Sequence, residues 1–351
     1  MNNKQYFYCF LDFSLILTRS LFVISKGKDI GEYTAGELIR TCIWTINKVL
    51  RDYGISARKV ILVYDKWDES IGGYYTSYLL GGQYKDTRHY MDETIFEGMK
   101  NDPAVSPDDL KKAAWELYQN QVKQTAKYTM ISELPRFGIG MLGRSGWEAD
   151  NWAYLLSCEL YGKTDLPSLF VTKDSDWMYC LSPATQLFRL PGKNEEPRII
   201  TYDEMYYSIP ESIRNAGIRL YQYLSLKDSL GYGHNDLRKT VKPRMKSEKV
   251  ILEVLSGNYE NLTDLELFEK QYKTFDIFSY PGIDEARDMI NNYLPVCGSL
   301  GDVSEFRMFC RTHNIPGISD SYYSEFIGRL DQKLYCEKKN ERYCNPTWNK
   351  I

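Results

Sequence analysis

YFYCFLDFSLILTRSLF, residues 6–22, decides the fold. Its first six residues form an unbroken apolar run rich in aromatics, too short for a buried helix and suited to a strand covered on both faces. The run stops at Asp12, and a helical pattern begins behind it. Two later stretches repeat this build. VILVY, residues 60–64, is followed at once by Asp65, and LFVT, residues 169–172, is followed by Lys173 and then by Asp174 and Asp176. Between the first two runs, TAGELIRTCIWTINKVLRDY (residues 34–53) sets Leu38, Ile39, Cys42, Ile43, Ile46, Val49 and Leu50 at helical spacing. Strands alternating with helices predict an α/β fold with a mostly parallel central sheet and helices on both faces. The carboxyl ends of parallel strands form the ligand-binding edge of such a sheet. Asp12, Asp65, Asp174 and Asp176 are therefore predicted to meet there.

A further acidic group, GWEADN (residues 146–151), precedes the apolar run WAYLLSCELYG and reads as a helix start. Acids are ordinary there, because the first turn has free N–H groups and the positive end of the helix dipole. Singly, each acid is a cap or a turn residue. Together, Asp12, Asp65, Glu148, Asp150, Asp174 and Asp176 would put six like charges in one cleft without a Lys or Arg beside each. Such a set needs cations. Oxygen ligands select hard divalent ions, with Mg²⁺ the natural choice. Two ions about 4 Å apart can clamp the attacking and leaving oxygens of a phosphodiester, which implies in-line hydrolysis to 5′-phosphate and 3′-hydroxyl ends.

Composition sets limits around this core. The 351 residues, 43% of them apolar, suit one large domain with a smaller satellite, or two domains. The net charge of −3 speaks against a uniformly cationic nucleic-acid binder but not against clustered acids offset by local basic patches. The eight cysteines include no C-x-x-C pair, and the three histidines stand at no zinc spacing; His234 and His313 read as structural or surface residues. Structural zinc is thus not expected, and reduced thiols in a cytoplasmic protein are. No 18-residue apolar run predicts a membrane helix, and the N-terminus has no secretion-signal pattern. No glycine-rich phosphate loop of the P-loop or dinucleotide type is present.

At this point the motifs resemble those of the 5′-nuclease (flap endonuclease) superfamily, in particular phage-type ribonuclease H and 5′→3′ exonucleases. LDFSLILTRSLF is similar to the first metal motif, with Asp12 and Arg19 in place, and VYDKWDES to the second, with Asp65. YYTSYLLGGQYKDTRHY carries the family's Tyr-Lys-x-x-Arg element as Tyr84, Lys85 and Arg88. GWEADNWAYLL matches Glu-Ala-Asp-Asp at Glu148 to Asn151, and TKDSDWMYCL matches Asp-x-Asp. FDIFSYPGIDEARDMINNY (residues 275–293) resembles the C-terminal segment of phage-type ribonuclease H, so the likeness spans roughly residues 6–293. Two departures stand out. Asn151 replaces the family's second Asp and removes one charge from the second metal position. In LSLKDSLGYGHNDL, the place of the helix-three-turn-helix, Asp228 and Asp236 are eight apart instead of three.

The resemblance implies a PIN/5′-nuclease-like α/β catalytic domain over residues 1–222, with an arch or bridge in residues 66–145 that carries no buried strand. It implies a helical DNA-binding region over residues 223–295; residues 296–351 are left as an accessory segment. It implies two Mg²⁺ ions, replaceable by Mn²⁺, on Asp12, Asp65, Glu148, Asp150, Asp174 and Asp176, with Asp228 and Asp236 as further ligands. Lys85 would orient the scissile phosphate, Arg88 would grip it, and Tyr84 would stack on an unpaired base. Arg238, Lys239, Lys242, Arg244 and Lys246 suit a duplex backbone and read no sequence. Expected substrates are DNA and RNA·DNA duplexes with a free 5′ end or flap, and the expected role is RNA primer removal in replication, in the host cytoplasm if phage-encoded. Enzymes of this kind work with single-strand binding protein or a sliding clamp, although no clamp-binding peptide is evident; a monomer is expected. Two other readings share these residues. One is a catalytically impaired, structure-specific DNA-binding protein, and the other is a PIN-like endoribonuclease.

Overall fold

The computed structural model describes residues 4–81, 91–192, 195–232, 237–295 and 303–319. The predicted strands are present as β1 (Lys4–Asp12), β2 (Ile55–Val63) and β4 (Ser168–Thr172), with β3 (Ile139–Leu142), β5 (Thr185–Arg189) and β6 (Arg198–Thr201) completing one sheet. Its order is β3-β2-β1-β4-β5-β6. β4 and β5 run parallel, and β5 and β6 antiparallel. No helix among the described residues is long and apolar enough to cross a membrane.

One expectation is corrected here. Residues 66–145 were expected to hold no core element, yet β3 lies inside them with all four residues buried. IGML is too short, and too interrupted by glycine, to show a period. It follows the long helix Pro107–Glu133, which begins with Ser106 accepting from the N–H of Asp109 and has proline in its first turn.

The chain divides into two compact units, Met1–Leu62 with Arg88–Met141 and Val296–Ile351, and Val63–Thr87 with Leu142–Pro295. In the first, residues 6–11 are all buried. The helix Ala35–Asp52 covers the predicted stretch and buries all seven apolar residues named above. Thr34 starts it with a capping box: Thr34 Oγ1 accepts from the N–H of Glu37 at 3.2 Å, and the Glu37 carboxylate accepts from the N–H of Thr34 at 2.9 Å. Tyr118, from Pro107–Glu133, donates its hydroxyl to the carbonyl of Tyr33, whose ring meets Trp115 and Tyr118 edge-on. Phe306 and Phe309 of the helix Val303–Thr312 pack on Phe137, each with ring centres 5.3 Å apart. Residues of the segment left as accessory thus contribute to the apolar packing of this unit.

The second unit holds stacked aromatic rings, among them Tyr154 on Tyr221 with ring centres 3.8 Å apart. Its helices include Ala149–Glu159, Leu220–Ser229, Ser247–Leu255 and Leu265–Lys273. Cys9, Cys42, Cys158, Cys180 and Cys310 are free thiols.

Candidate functional site

The candidate site is built in the second unit, from the loop that precedes Glu148. Gly143 lies against the face of Tyr64, where an added Cβ would come within 2.5 Å of the ring. Gly146 has φ +78° and lies against Tyr75 at a matching 2.6 Å. Only glycine suits this second position, on both counts. The backbone is then zipped to the segment after β2: the N–H of Gly146 donates to Lys66 O at 2.8 Å, that of Lys66 to Trp147 O at 3.1 Å, and that of Tyr75 to Gly146 O at 2.9 Å. Trp147, fully buried, donates its indole N–H to Pro281 O at 3.3 Å. Tyr280 donates its hydroxyl to Thr274 O at 2.5 Å and sets its ring edge-on to Tyr75 and Trp147.

This frame fixes the start of the helix Ala149–Glu159. Asp65 accepts from the N–H of Ala149 at 2.7 Å, and the side-chain oxygen of Asn151 accepts from the N–H of Glu148 at 3.1 Å. Two of the free donors of the first turn are satisfied, one from 84 residues away. Asn151 therefore has a structural task that a neutral amide performs as well as a carboxylate.

Glu148, Asp150 and Asp176 line one cavity of about 40 Å³, with Asn151, Thr76, Tyr154, Tyr179 and Tyr221 among its walls and no Lys or Arg among the described residues of its lining. The volume has room for roughly three water-sized occupants. Glu148 is 3% exposed, a burial that acids rarely show without compensation. The charge is felt by the neighbouring phenols. Tyr280 is pushed up by burial, with the Glu148 and Asp150 carboxylates adding to the shift. Tyr179 is pushed well above the usual phenol range by burial, then by Asp228 and Asp176.

Asp174 is exposed and accepts from the N–H of Asp176 at 3.0 Å, while its own N–H donates to Thr172 Oγ1 at 3.0 Å. Asp228 is reached from the cavity through Tyr179, whose hydroxyl donates to its carboxylate. Of the predicted acids, Asp65, Glu148, Asp150, Asp174, Asp176 and Asp228 are thus linked within this unit. Asp12 belongs to the first unit. There it ends β1, is 8% exposed, and accepts from the N–H of Leu15 at 3.0 Å; Arg19 follows on the same helix, half-buried. Tyr84, Lys85, Arg88 and Asp236 lie outside the described residues.

Among the described residues no three His, Cys, Asp or Glu side chains stand close enough together to form a ready-made metal cage. The donor chemistry nonetheless fits a hard divalent cation. Three carboxylates line one cavity with room for a few waters and with no basic side chain among the described residues of its walls, and Mg²⁺ keeps several of its waters when bound.

The basic stretch is also placed. Gln271, 1% exposed, accepts from the N–H of Arg238 at 2.8 Å and donates to Ser229 O at 2.7 Å and Arg238 O at 3.0 Å. Thr240 Oγ1 donates to Ser229 O, and the N–H of Thr263 donates to Thr240 O. Gly231, at φ +79°, lies so close to Lys239 that a Cβ would meet its Cα at 2.5 Å. Arg238, Lys239, Lys242, Arg244 and Lys246 are exposed. Lys239 lies over the Tyr232 ring at 5.3 Å.

Sequence reasoning did not find Tyr179, Tyr280 or Gln271. Tyr179 stands three residues after Asp176, a spacing that places both in one turn; nothing local marks the other two.

No protein-family model and no curated protein sequence matches the chain. A mutant of the T5 5′-exonuclease is 13% identical over 93% of this chain and 99% of its own, with a TM-score of 0.40. The bacteriophage T5 D15 flap endonuclease, in complex with DNA and metal ions, is 15% identical over 94% of this chain and 100% of its own, with a TM-score of 0.43. Human GEN1 in complex with Holliday junction DNA is 15% identical over 95% of this chain and 75% of its own, with a TM-score of 0.48. The catalytic core of Rad2 in complex with DNA substrate is 14% identical over 93% of each chain, with a TM-score of 0.43. At identities this low and TM-scores this small, these likenesses assign no activity and no residue role to this chain.

Proposed function

We propose that the chain is a divalent-metal-dependent 5′→3′ exonuclease and flap endonuclease that hydrolyses phosphodiesters of DNA·DNA and RNA·DNA duplexes near free 5′ ends. The observation that carries this reading is the cavity whose walls include the carboxylate side chains of Glu148, Asp150 and Asp176. Glu148, Asp150 and Asp176 would hold the cation from one side, partly through water, and Asp65 keeps two of these carboxylates in place by fastening the helix start beneath them. When bound, Mg²⁺ lowers the pKa of water and stabilises the leaving 3′-oxygen. Asp174 fixes the turn that carries Asp176. Asp228 and Asp236 are further ligands in this reading. Lys85 and Arg88 orient the scissile phosphate, and Tyr84 stacks on an unpaired base. Arg238, Lys239, Lys242, Arg244 and Lys246 extend exposed charge from a pinned loop toward a duplex backbone, so recognition is of structure and not of sequence. RNA primer removal is the role this specificity serves.

A second reading, a structure-specific DNA-binding protein without turnover, is favoured by Asn151 and by the lack of a preassembled three-carboxylate cage among the described residues. One experiment separates the two. A 5′-labelled flap duplex and an RNA·DNA hybrid are incubated with wild type and with Asp176→Asn, in Mg²⁺ and in EDTA. Metal-dependent release of short 5′ products, lost in the variant, is the expected result. Tight flap binding without cleavage in either Mg²⁺ or Mn²⁺ would leave the binding protein as the reading.

A further inference from the structure

We infer that Tyr179 is a positioning residue for the carboxylate cavity, holding Asp228 in register with Asp176 through its hydroxyl. The inference rests on the reading of this cavity as a metal site and adds to it a residue that acts through a carboxylate.

The two ends of the contact come from different elements. Tyr179 lies in the short turn Asp176–Cys180, one turn after the carboxylate that lines the cavity. Asp228 lies in the helix Leu220–Ser229, 49 residues further on. The ring of Tyr179 is 8% exposed and itself forms part of the cavity wall. It is stacked on Phe275 at 5.1 Å and 29°, and meets Tyr221 edge-on at 5.8 Å. With the ring held on two sides, the hydroxyl donates to the Asp228 carboxylate.

The chemistry suits a fixed strut. An O–H donated to a carboxylate makes a bond roughly twice as strong as one between neutral groups. A buried tyrosine that merely seeks a partner commonly finds a backbone carbonyl, as Tyr280 does here. Tyr179 instead ties a carboxylate from a second element to the turn that carries Asp176. Groups that orient metal-binding side chains typically contribute about 10- to 100-fold in metal affinity.

The test is a double-mutant cycle read by Mn²⁺ binding, with free Mn²⁺ counted by electron paramagnetic resonance, on the full chain without substrate. The four proteins are wild type, Tyr179→Phe, Asp228→Asn and the double variant, each checked for an intact fold by circular dichroism and thermal melting. Tyr179→Phe is expected to weaken Mn²⁺ binding about tenfold or more, and the effect is expected to vanish in the Asp228→Asn background. Unchanged affinity in Tyr179→Phe, or an equal loss in both backgrounds, would overturn the inference while leaving the metal site standing. If wild type itself binds no Mn²⁺, the metal reading fails and this inference goes with it. Should Tyr179→Phe not fold, Asp228→Asn alone decides: unaltered Mn²⁺ affinity there overturns the role of the pair.

Discussion

The ends of β1 and β2 both deliver an aspartate to a helix N-terminus, and the two carboxylates do different work. Asp12 caps the helix that follows it in sequence, three residues on. Asp65 caps a helix that starts 84 residues later. The first contact is local and forms wherever the strand–helix turn forms. The second closes a long loop of chain and exists only when the segment after β2 and residues 142–149 are already zipped together. One aspartate belongs to secondary structure, the other to tertiary structure, although both stand at a strand end before a motif-like string.

Substitutions can break or sharpen this contrast. The largest effect is expected at the helix start that Asp65 holds. Glu148→Gln keeps the shape of the side chain and removes a buried charge, and cleavage of the 5′-labelled flap in Mg²⁺ is expected to fall by at least about a hundredfold, while the melting temperature in EDTA stays level or rises. A variant that cuts at the wild-type rate would show that the cavity carries no catalysis.

Alkali tests the two regions in bulk. Burial pushes the Cys42 thiol, on the core face of Ala35–Asp52, up to about 12 from its ordinary 9.0. The unfolded thiol ionises first as pH rises, so the folded state is fully favoured below about pH 9 and loses ground between 9 and 12, by about 1.4 kcal/mol per pH unit from this group. Denaturant unfolding across that window should show the slope, and Cys42→Ala should flatten it. An unchanged slope in Cys42→Ala would assign the alkaline loss to the other buried thiols, Cys9 and Cys180, and to the phenols.

The contrast between local and distant caps is sharpest in a pair of identical changes. Asp12→Ser keeps a good capping oxygen for Leu15 N–H and should leave stability within about 0.5 kcal/mol of wild type. Asp65→Ser shortens the reach to Ala149 and should destabilise by about 1 kcal/mol. Equal losses from urea melts would mean that the two aspartates are equivalent after all. The smallest effect belongs to Asn151→Asp. The carboxylate still accepts from Glu148 N–H, so the fold should hold, but a fourth charge at the cavity should lower stability in EDTA by a few tenths of a kcal/mol and tighten Mn²⁺ binding. Weaker Mn²⁺ binding in this variant would argue that Asn151 is itself chosen for the ion.

The same divide, local against distant, separates what was legible in the sequence from what was not. β1, β2 and β4 each contain a continuous apolar run (residues 6–11, 60–63 and 169–171), and the helix Ala35–Asp52 has a clean apolar face with a Thr–Glu capping box. Each carries its own signal within a dozen residues. β3 is four residues long and contains a glycine, while β5 and β6 mix polar with apolar residues in TQLFR and RIIT. Such strands are specified by their neighbours. In the site, the helix start at Glu148 was readable from GWEADN, and the acids followed from strand ends. The joining of Glu148, Asp150 and Asp176 to Asp228 through Tyr179 was not, because a hydroxyl finding a carboxylate 49 residues away leaves no local trace.

Gln271 shows what such a distant contact implies for the loop above it. Its amide is shared among three backbone groups at the two ends of residues 229–240, with Thr240 adding a fourth strand of attachment. Arg238 and Thr240, so held, have already surrendered their backbone freedom during folding. A polyanion laid across Arg238, Lys239 and Lys242 would not have to order the backbone beneath it, and its affinity would be governed by released counterions instead. In hydrogen exchange the amide of Arg238, which donates to Gln271, should behave like part of a helix, and Gln271→Ala should turn the same charged segment into a tether whose grip weakens although no cation has been touched.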